Sequence, residues 1–360
     1  MDRVFNFAAG PSAMPAEALE TAAREMLCYG ESGMSVMEMS HRSKAYQDIF
    51  DGTVALVREL MNVPEDYEVL LLQGGATGQF AAIPMNLMGE GDSADYIDSG
   101  NFAHIAMNEA QKYGGVRCVA SSREENYRRI PDWTQADFDP NAKYVYITTN
   151  NTIFGTRYAR LPETGDVPLV ADMSSNILSE VYDLHRFGAV YAGAQKNIGP
   201  AGVTLVIVRR DLLGRARKSC PQIMNWTIMA EKGSMLNTPP TYAIYMCGLC
   251  LKWLKEQGGV AAIEKVNIEK SKLLYDLLDE SAFYRPAAEA ASRSRMNVTF
   301  TTPDKDTDAL FVKEAAARGL VNLKGHRLVG GIRASIYNAM PLEGVRALAD
   351  FMKDFEMEHR

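Results

Sequence analysis

The stretch Val69-Leu-Leu-Leu72, followed by Gln73-Gly-Gly-Ala-Thr-Gly78, decides the fold class of this 360-residue chain. A continuous apolar run of strand length leads into a glycine-rich loop, and a helical pattern then continues through Met88. Continuous apolar runs are typical of strands that are covered on both faces of a parallel sheet. The order strand, glycine loop, helix therefore predicts the first unit of an α/β fold.

Similar units continue along the chain. Two amphipathic helices are predicted upstream, at Pro15–Leu27 and Lys44–Met61, and another helix is predicted near Phe102–Lys112. Short apolar runs that end in polar or small residues occur at Ala94–Ile97, Val116–Ala120, Tyr144–Thr148, Pro168–Ala171, Val190–Ala192 and Val203–Val208. We therefore predict a large domain, residues 16–257, with a mostly parallel sheet flanked by helices.

The pattern changes after Gly258. Helices are predicted at about 259–280 and 307–318, and a final amphipathic helix at Pro341–Glu356. They alternate with fewer strands, predicted at Met296–Thr301, Leu320–Leu323 and Ile332–Tyr337. The first fifteen residues are too short to fold alone, so we expect them to pack on a neighbouring domain. We predict a smaller α+β domain made of residues 1–15 and 258–360.

Composition excludes several classes of function. A net charge of −7 argues against a broad basic face for nucleic acid. The longest apolar runs are strand-sized and the N-terminus lacks a signal-peptide core, so no membrane partner and a cytoplasmic location are expected. The five cysteines are scattered, which argues against a disulfide framework. Cys247-Gly-Leu-Cys250 has the spacing of a redox or zinc site but lies in a predicted apolar helix, Tyr242–Lys255, without a second Cys or His pair. We expect buried structural cysteines and no metal site.

One lysine stands apart from the other charged residues. In Tyr191-Ala-Gly-Ala-Gln-Lys-Asn-Ile-Gly-Pro-Ala-Gly202, Lys196 is the only charged residue, and its small neighbours leave room for a ligand. This stretch alone leaves open an ordinary surface lysine on a flexible loop. Ligands bind parallel sheets beyond the carboxyl ends of the strands, which is where Lys196 is predicted.

Other polar groups follow the predicted strands. Gly74–Gly78 opens a helix and could bind a phosphate, although a plain turn would also use glycine, and no P-loop Gly-Lys-Ser/Thr follows.

Asp172 lies 24 residues before Lys196, one predicted helix and one strand earlier, so both should reach the same sheet edge. Asp172 is either a helix N-cap or the partner of a positive ring. Phe102 could stack on a ring, and Thr152 and Ser174 supply hydroxyls. Such a set suits pyridoxal 5'-phosphate.

The resemblance to a known family is specific and covers nearly the whole chain. The chain resembles the phosphoserine aminotransferase family, within class V of the fold-type I pyridoxal-phosphate enzymes. The motifs that carry it are Phe5-Asn-Phe-Ala-Ala-Gly-Pro11, Ser35-Val-Met-Glu-Met-Ser-His-Arg42, Gly78-Gln-Phe-Ala-Ala82, Tyr191–Gly202, Gly233-Ser-Met-Leu-Asn-Thr-Pro-Pro-Thr241, Ser294-Arg-Met-Asn-Val298 and Lys324-Gly-His-Arg-Leu-Val-Gly-Gly-Ile-Arg-Ala-Ser-Ile-Tyr-Asn-Ala-Met-Pro341.

The resemblance implies a role for each cofactor-site residue. Lys196 would form the Schiff base, and Asp172 would pair with the ring nitrogen. Phe102 would stack on the ring, where better-known members have tryptophan, and Thr152 would bind the phenolic oxygen. The cofactor phosphate would be bound by Ala76, Thr77 and Gln195, and from the other subunit by Asn237 and Thr238. Some members carry arginine where this chain has Thr77.

The resemblance also implies the substrates. Arg333 would bind the α-carboxylate, and the pairs His41-Arg42, from the other subunit, and His326-Arg327 would hold the distal phosphate or carboxylate. The expected reaction interconverts 3-phosphohydroxypyruvate plus L-glutamate with O-phospho-L-serine plus 2-oxoglutarate, by ping-pong kinetics, in serine biosynthesis. The family often also acts on 4-phosphohydroxythreonine in vitamin B6 synthesis. A homodimer with shared active sites is expected.

The sequence bears on three alternative functions. A cysteine desulfurase needs a late reactive cysteine, and no cysteine follows Cys250. An alanine–glyoxylate or serine–pyruvate aminotransferase has no need of the two His-Arg pairs. A non-catalytic cofactor-binding protein is disfavoured by the complete set Lys196, Asp172 and Arg333.

Overall fold

The computed structural model describes residues 3–360; the first two residues of the predicted small domain lie outside the described part. The helices are α1 (Ala16–Arg24), α2 (Lys44–Leu60), α3 (Gly75–Leu87), α4 (Asn101–Ala110), α5 (Trp226–Glu231), α6 (Thr241–Glu256), α7 (Gly259–Glu280), α8 (Lys305–Ala317) and α9 (Leu342–His359). The strands are β1 (Phe5–Asn6), β2 (Tyr67–Leu72), β3 (Ser93–Asp98), β4 (Gly115–Ser121), β5 (Val145–Thr148), β6 (Asn150–Asn151), β7 (Thr156–Arg157), β8 (Leu169–Asp172), β9 (Ala189–Gly193), β10 (Thr204–Arg209), β11 (Arg285–Pro286), β12 (Asn297–Thr301), β13 (Leu320–Val321) and β14 (Ile332–Ser335).

A seven-stranded sheet forms the centre of the molecule, in the order β2-β10-β9-β8-β5-β3-β4. The pairs β9-β8-β5-β3-β4 are parallel, and β10 runs antiparallel to both of its neighbours. The prediction of a mostly parallel sheet is therefore confirmed. Parallel pairing brings the carboxyl ends of β5, β8 and β9 to one edge, where the predicted site residues follow.

Both faces of this sheet are buried except at the edge strand β4, which is exposed or half-buried, and this burial explains the continuous apolar runs in the other strands. Side chains alternate between the two faces along each strand. One face packs against α3, α4 and α5, with Leu72, Tyr146 and Trp226 in its core. The other face packs against α2 and α6, with Phe50 and Ile147 in its core. This two-sided burial is the arrangement that the sequence predicted.

The connection from β8 to β9 differs from the prediction. We expected a helix between Asp172 and Lys196, but turns and one 3-10 turn at Leu184–Arg186 join the two strands. The sheet neighbours are nevertheless as predicted, since β8 and β9 pair directly and Asp172 lies opposite Tyr191. Asp172 is thus not the N-cap of an α-helix, which removes that alternative.

Most predicted helix and strand ends are right to within a few residues, and two differ for a visible reason. Helix α1 ends at Arg24, before the predicted Leu27, because Leu27 is 86% exposed and nothing packs a further turn. Helix α9 continues to His359, beyond the predicted Glu356, because Phe355 and its neighbours pack into the C-terminal core.

The C-terminal part contains its own antiparallel sheet, β11-β12-β14, covered by α7, α8 and α9. This arrangement confirms the α+β character of the region. Strand β1 pairs with β13, and Phe7 is buried in the same core as Phe311 and Phe351. The N-terminal segment therefore packs on the C-terminal part, although the exact domain boundaries stay a prediction.

Cys247 and Cys250 are buried in α6, as expected of structural thiols, and Cys247 packs against Gly199. Across residues 3–360, no helix is long and apolar enough to cross a bilayer. A group of possible metal ligands, Glu314, Glu358 and His359, lies at the end of α9, where two of the three residues are exposed. The expectation of no metal site stays untested.

Candidate active site

The glycine loop ends β2 and begins α3. Gly74 and Gly75 have φ values of +95° and +65°, a conformation that glycine adopts without strain. No side chain caps this end of the helix, and its first backbone bond joins Gly78 N–H to the carbonyl of Gly74. The N–H groups at Ala76 and Thr77 therefore have no helical partner, and the helix dipole favours an anion beside them.

Lys196 lies just beyond β9, and its Nζ donates a 2.8 Å hydrogen bond to Oγ1 of the buried Thr152. Burial lowers the pKa of Lys196 to about 8, the carboxylate of Asp172 opposes this shift, and the guanidinium of Arg333 adds to it. Both charges therefore act on the amine at short range. The structure brings together the four residues on which the predicted chemistry depends.

Asp172 ends β8 and is 4% exposed. Its Oδ1 accepts a 2.8 Å hydrogen bond from the backbone N–H of Ser174. The Oγ of Ser174 in turn accepts from the N–H of Gly193 at the end of β9. These bonds fix the carboxylate at the sheet edge beside Lys196, where it can hold a positive ring nitrogen.

Phe102 lies in the first turn of α4, with its ring centroid 5.8 Å from Nζ of Lys196. Gly100 immediately precedes this turn, and the side chain of Asn151 occupies the space that a Cβ on Gly100 would fill. Asn151 donates to Oγ1 of Thr156 and, at 3.4 Å, to Oγ of Ser99. The ring is thus held close to the amine, as a stacking role requires. Gly100 and Asn151 lie in the stretches that follow predicted strands, Ser99–Phe102 and Thr149–Thr152, but the sequence assigned neither a role because neither carries a charge.

The backbone of Lys196 is held from a distant part of the chain. Ser12 N–H donates to the carbonyl of Gln195, and Ser12 Oγ donates to the carbonyl of Lys196 at 2.7 Å. Asn338 N–H donates to Oδ1 of Asn197 at 3.0 Å. No sequence signal pointed to these contacts, since Ser12 and Asn338 lie far from Lys196 along the chain. Gln195 is half-buried, and its side chain lies close to Gly10 and Gly193.

Arg333 is the predicted carboxylate-binding residue, and its guanidinium acts on the amine of Lys196. It lies on β14, and its Nη1 donates a 3.4 Å bond to the carbonyl of Thr152. Within the described range 3–360, Arg333 forms no ion pair with a carboxylate. Partial burial lowers the pKa of His326, and the charges of Arg333 and Arg327 lower it further. Arg333 and Arg327 therefore form a positive cluster around His326, whose lowered pKa leaves its imidazole largely neutral at pH 7, on the small-domain side of the site.

Two predicted segments lie apart from this cluster. Neither the side chain of His41 nor that of Arg42 has a hydrogen bond or an ion pair within the part of the chain that the structure describes. Asn237 and Thr238 are exposed and lie beside Gln73, at the start of the glycine loop of the same chain. Their predicted role in a neighbouring subunit is not tested by a single chain.

The donor set fits pyridoxal 5'-phosphate. The uncapped N-terminus of α3 suits a phosphate, the Phe102 ring suits a flat heterocycle, and the buried carboxylate of Asp172 suits a protonated ring nitrogen. The amine of Lys196, with its lowered pKa, suits reaction with an aldehyde.

Comparison with known proteins agrees with this geometry. The profile of the family Aminotransferase class-V matches residues 4–348. A phosphoserine aminotransferase of Bacillus cereus is 53% identical over 360 residues, covering both chains completely. The solved phosphoserine aminotransferase from Bacillus circulans subsp. alkalophilus superposes with a TM-score of 0.97 at 44% identity, covering 100% of both chains. A pyridoxal-phosphate-bound phosphoserine aminotransferase from Trichomonas vaginalis gives a TM-score of 0.93 at 40% identity, covering 98% of this chain and 100% of that one.

The chain therefore belongs to the class-V aminotransferases. The full-length similarity places it, within that class, in the pyridoxal-phosphate-dependent phosphoserine aminotransferase family.

Proposed function

We propose that this chain transfers an amino group between L-glutamate and 3-phosphohydroxypyruvate, giving 2-oxoglutarate and O-phospho-L-serine, in serine biosynthesis. The observation that carries the proposal is that Lys196 and Arg333 both contact Thr152: Nζ of Lys196 donates to its Oγ1 at 2.8 Å, and Nη1 of Arg333 donates to its carbonyl at 3.4 Å. The carboxylate of Asp172 also acts on the Lys196 amine. An amine, a ring-nitrogen partner and a carboxylate receptor then face one space. The family membership supports the same assignment.

Pyridoxal 5'-phosphate, when bound, supplies an aldehyde that accepts the amino group and a ring that withdraws electrons from the substrate. The N–H groups of Ala76 and Thr77 and the side chain of Gln195 would hold its phosphate. Asp172 would keep the ring nitrogen protonated, and Phe102 would cover one face of the ring. The hydroxyl of Thr152 would bind the phenolic oxygen.

Lys196 has two tasks in this scheme. Because burial lowers its pKa to about 8, a useful fraction of the amine is neutral near neutral pH and can react with an aldehyde. A neutral amine can also accept the α-proton of the substrate and return it, as general base and then general acid. The hydroxyl of Thr152 keeps Nζ at a defined point between these steps.

The positive cluster selects dianionic substrates. Arg333 can bind the α-carboxylate through two parallel hydrogen bonds, and it has no ion pair in residues 3–360 that would compete. His326 and Arg327 would hold the phosphate of one substrate and the γ-carboxylate of the other. His41 and Arg42 would join them from a second subunit. A neutral side chain, such as that of alanine, would leave these charges without a partner.

A homodimer would complete the site. The segment Asn237–Thr238 is exposed and adjoins an apolar groove of about 670 Å³, lined by residues that include Leu19, Met26, Pro239 and Tyr242. Leu19 and Met26 are partly exposed in the single chain. A second copy seated on this groove would cover apolar surface and bring Asn237 and Thr238 to the phosphate of its neighbour.

The visible absorption spectrum of the purified protein tests the proposal. We expect a yellow protein whose band bleaches with phosphoserine and with glutamate, and recovers with 2-oxoglutarate. Faster bleaching with alanine than with phosphoserine would favour the alanine–glyoxylate or serine–pyruvate alternative. The same assay with 4-phosphohydroxythreonine tests the vitamin B6 step.

The variant Lys196→Ala provides the control for that assay. It removes the reactive amine and leaves the sheet intact, so transamination should be lost while the folded structure remains. Near-normal turnover by Lys196→Ala would overturn the assignment of Lys196.

A further inference from the structure

Lys270 is a fully buried lysine to which the proposed reaction gives no role. It lies on α7, is 0% exposed, and forms no ion pair within residues 3–360. A buried ammonium without a counter-charge is costly unless polar groups surround it. The Nζ of Lys270 instead donates to the carbonyls of Ile336, Tyr337 and Met340, at 3.0, 2.8 and 3.0 Å. All three donor positions of the ammonium are therefore satisfied by one short segment, residues 336–340.

This segment directly follows β14, which carries Arg333, and its backbone leaves the sheet there. Buried carbonyls outside a sheet need other donors. One lysine side chain satisfies three of them. Burial lowers the pKa of Lys270 to about 7, and the three carbonyls favour the protonated amine, whose charge-assisted hydrogen bonds are stronger than neutral ones. The amide of Asn267, one turn earlier on α7, adds a 2.9 Å bond to Oδ1 of Asn338. Helix α7 thus holds the segment at two adjacent points.

Two hydrogen-bonded arms lead from the segment to Lys196. In the first arm, Asn338 N–H donates to Oδ1 of Asn197, the residue after Lys196. In the second arm, Tyr337 OH donates to the carbonyl of Ala9 at 2.8 Å, which anchors the N-terminal stretch. Ser12 in that stretch then donates to the carbonyl of Lys196 at 2.7 Å. The two arms approach the reactive lysine from opposite ends of the chain.

We propose that Lys270 is a positioning residue for Lys196: by joining three carbonyls of residues 336–340, it fixes the two arms that hold the backbone carbonyls of Gln195 and Lys196 and the side chain of Asn197. This inference rests on the proposed function of Lys196. Reacting groups must be held within about 0.5 Å of their productive position, so movement of the supports reduces reactivity without removing any reacting group. Lys270 itself touches neither cofactor nor substrate.

The test compares Lys270→Met with Lys272→Met in the holoenzyme. Methionine has similar length but no donor, so Lys270→Met leaves the three carbonyls without their partner. Lys272 lies on the same helix, is exposed, and pairs only with Asp276. Three quantities are measured: the dissociation constant of pyridoxal 5'-phosphate, the pH midpoint of the absorbance change of the bound cofactor, and the unfolding temperature.

We expect Lys270→Met to weaken cofactor binding by about tenfold and to move the pH midpoint, with Lys272→Met unchanged in both. A lowered unfolding temperature with an unchanged dissociation constant and pH midpoint would reduce Lys270 to a structural role and overturn the proposal. If Lys270→Met does not fold, the same quantities are measured for Ser12→Ala, which removes only the hydroxyl that donates to the carbonyl of Lys196. An unchanged cofactor affinity and pH midpoint in Ser12→Ala would then overturn it.

The wild-type protein separates this inference from the proposed function. A wild-type chain that binds no pyridoxal 5'-phosphate would reject the function itself, and the positioning role with it. A wild-type chain that binds the cofactor and converts phosphoserine keeps the function, and the variants alone then decide the role of Lys270.

Discussion

The amine of Lys196 donates its hydrogen bond to the hydroxyl of Thr152, at 2.8 Å, rather than to a carboxylate. A neutral acceptor stabilises the ammonium less than a carboxylate in direct contact would. The carboxylate of Asp172 acts on the amine, but its effect is smaller than that of burial. This balance leaves Lys196 able to lose its proton near pH 8.

The rate at which the apoprotein captures pyridoxal 5'-phosphate should follow the titration of Lys196. Only the neutral amine attacks an aldehyde, so the rate should rise with pH through about 8 and level off above it. An ordinary lysine would continue to gain reactivity up to about pH 10.4. Stopped-flow absorbance at a series of pH values measures the profile, and a rate still rising beyond pH 10 would contradict the lowered pKa.

Lys196→Met should stabilise the apoprotein at pH 7. The folded pKa of Lys196, about 8, lies below its ordinary value of 10.5, so the unfolded chain binds its proton more tightly. The penalty is complete below about pH 8 and disappears as the pH rises toward 10.5. We expect Lys196→Met to raise the free energy of unfolding by about 1–3 kcal/mol at pH 7, less at pH 10. Urea unfolding at both pH values measures this, and equal gains at both would refute it.

Asp172→Asn should lower the pKa of Lys196 further, because the carboxylate is the group that raises it. Asparagine keeps an oxygen for the N–H of Ser174, so the local turn should persist. The cofactor-capture profile should therefore shift to lower pH, while turnover falls by about a hundredfold or more as the ring nitrogen loses its partner.

Asp183→Asn is the matched control for that variant. Asp183 is exposed and its Oδ1 accepts from the N–H of His185 two residues on, the same local bond that Asp172 makes. Its profile and turnover should equal those of the wild type. A shift of the same size in both variants would show that the effect is not specific to the charge at Asp172.

Gly100→Ala should weaken cofactor binding, because its Cβ would collide with the side chain of Asn151 and displace the first turn of α4, which carries Phe102. The conformation of Gly100 is extended and imposes no strain on alanine, so the effect is steric. We expect a loss of about tenfold or more in affinity, measured by absorbance titration.

Gly52→Ala serves as the comparison for this substitution. Gly52 lies in α2, and nothing occupies the space that its Cβ would fill. Alanine is the better helix former by about 1 kcal/mol, so this variant should be slightly more stable with unchanged cofactor affinity. If Gly100→Ala also bound the cofactor normally, the position of Phe102 would not depend on its neighbour Asn151.

Arg333→Gln should raise the KM of both glutamate and phosphoserine, since the two share the α-carboxylate that Arg333 would bind. The loss of hydrogen bonds to a charged group corresponds to about 1.5–3 kcal/mol, or roughly tenfold to a hundredfold. Arg346→Gln, which removes an exposed arginine paired with Glu269, should leave both values unchanged. A KM that rises for phosphoserine alone would place Arg333 at the phosphate instead.

The sequence by itself determined the layered α/β architecture. Apolar runs such as Val69–Leu72 can be buried on both faces only in a sheet that has helices packed on each face. The glycines at 74 and 75 adopt the positive φ values with which α3 begins. The candidate reactive residues could also be predicted from the local sequence. Lys196 stood alone among small residues, and Asp172 ended an apolar run that pairs with β9, as predicted.

Only the tertiary structure decided what surrounds these groups. The route from Asp172 to Lys196 has no helix, contrary to the prediction, because turns and a single 3-10 turn suffice to cross between adjacent strands. The supports of the site could not be assigned from local sequence; among them are Ser12, Gly100, Asn151, Lys270 and Asn338. Their contacts join residues far apart in sequence, and burial, hydrogen bonding and the pKa of Lys196 exist only once those residues are packed together.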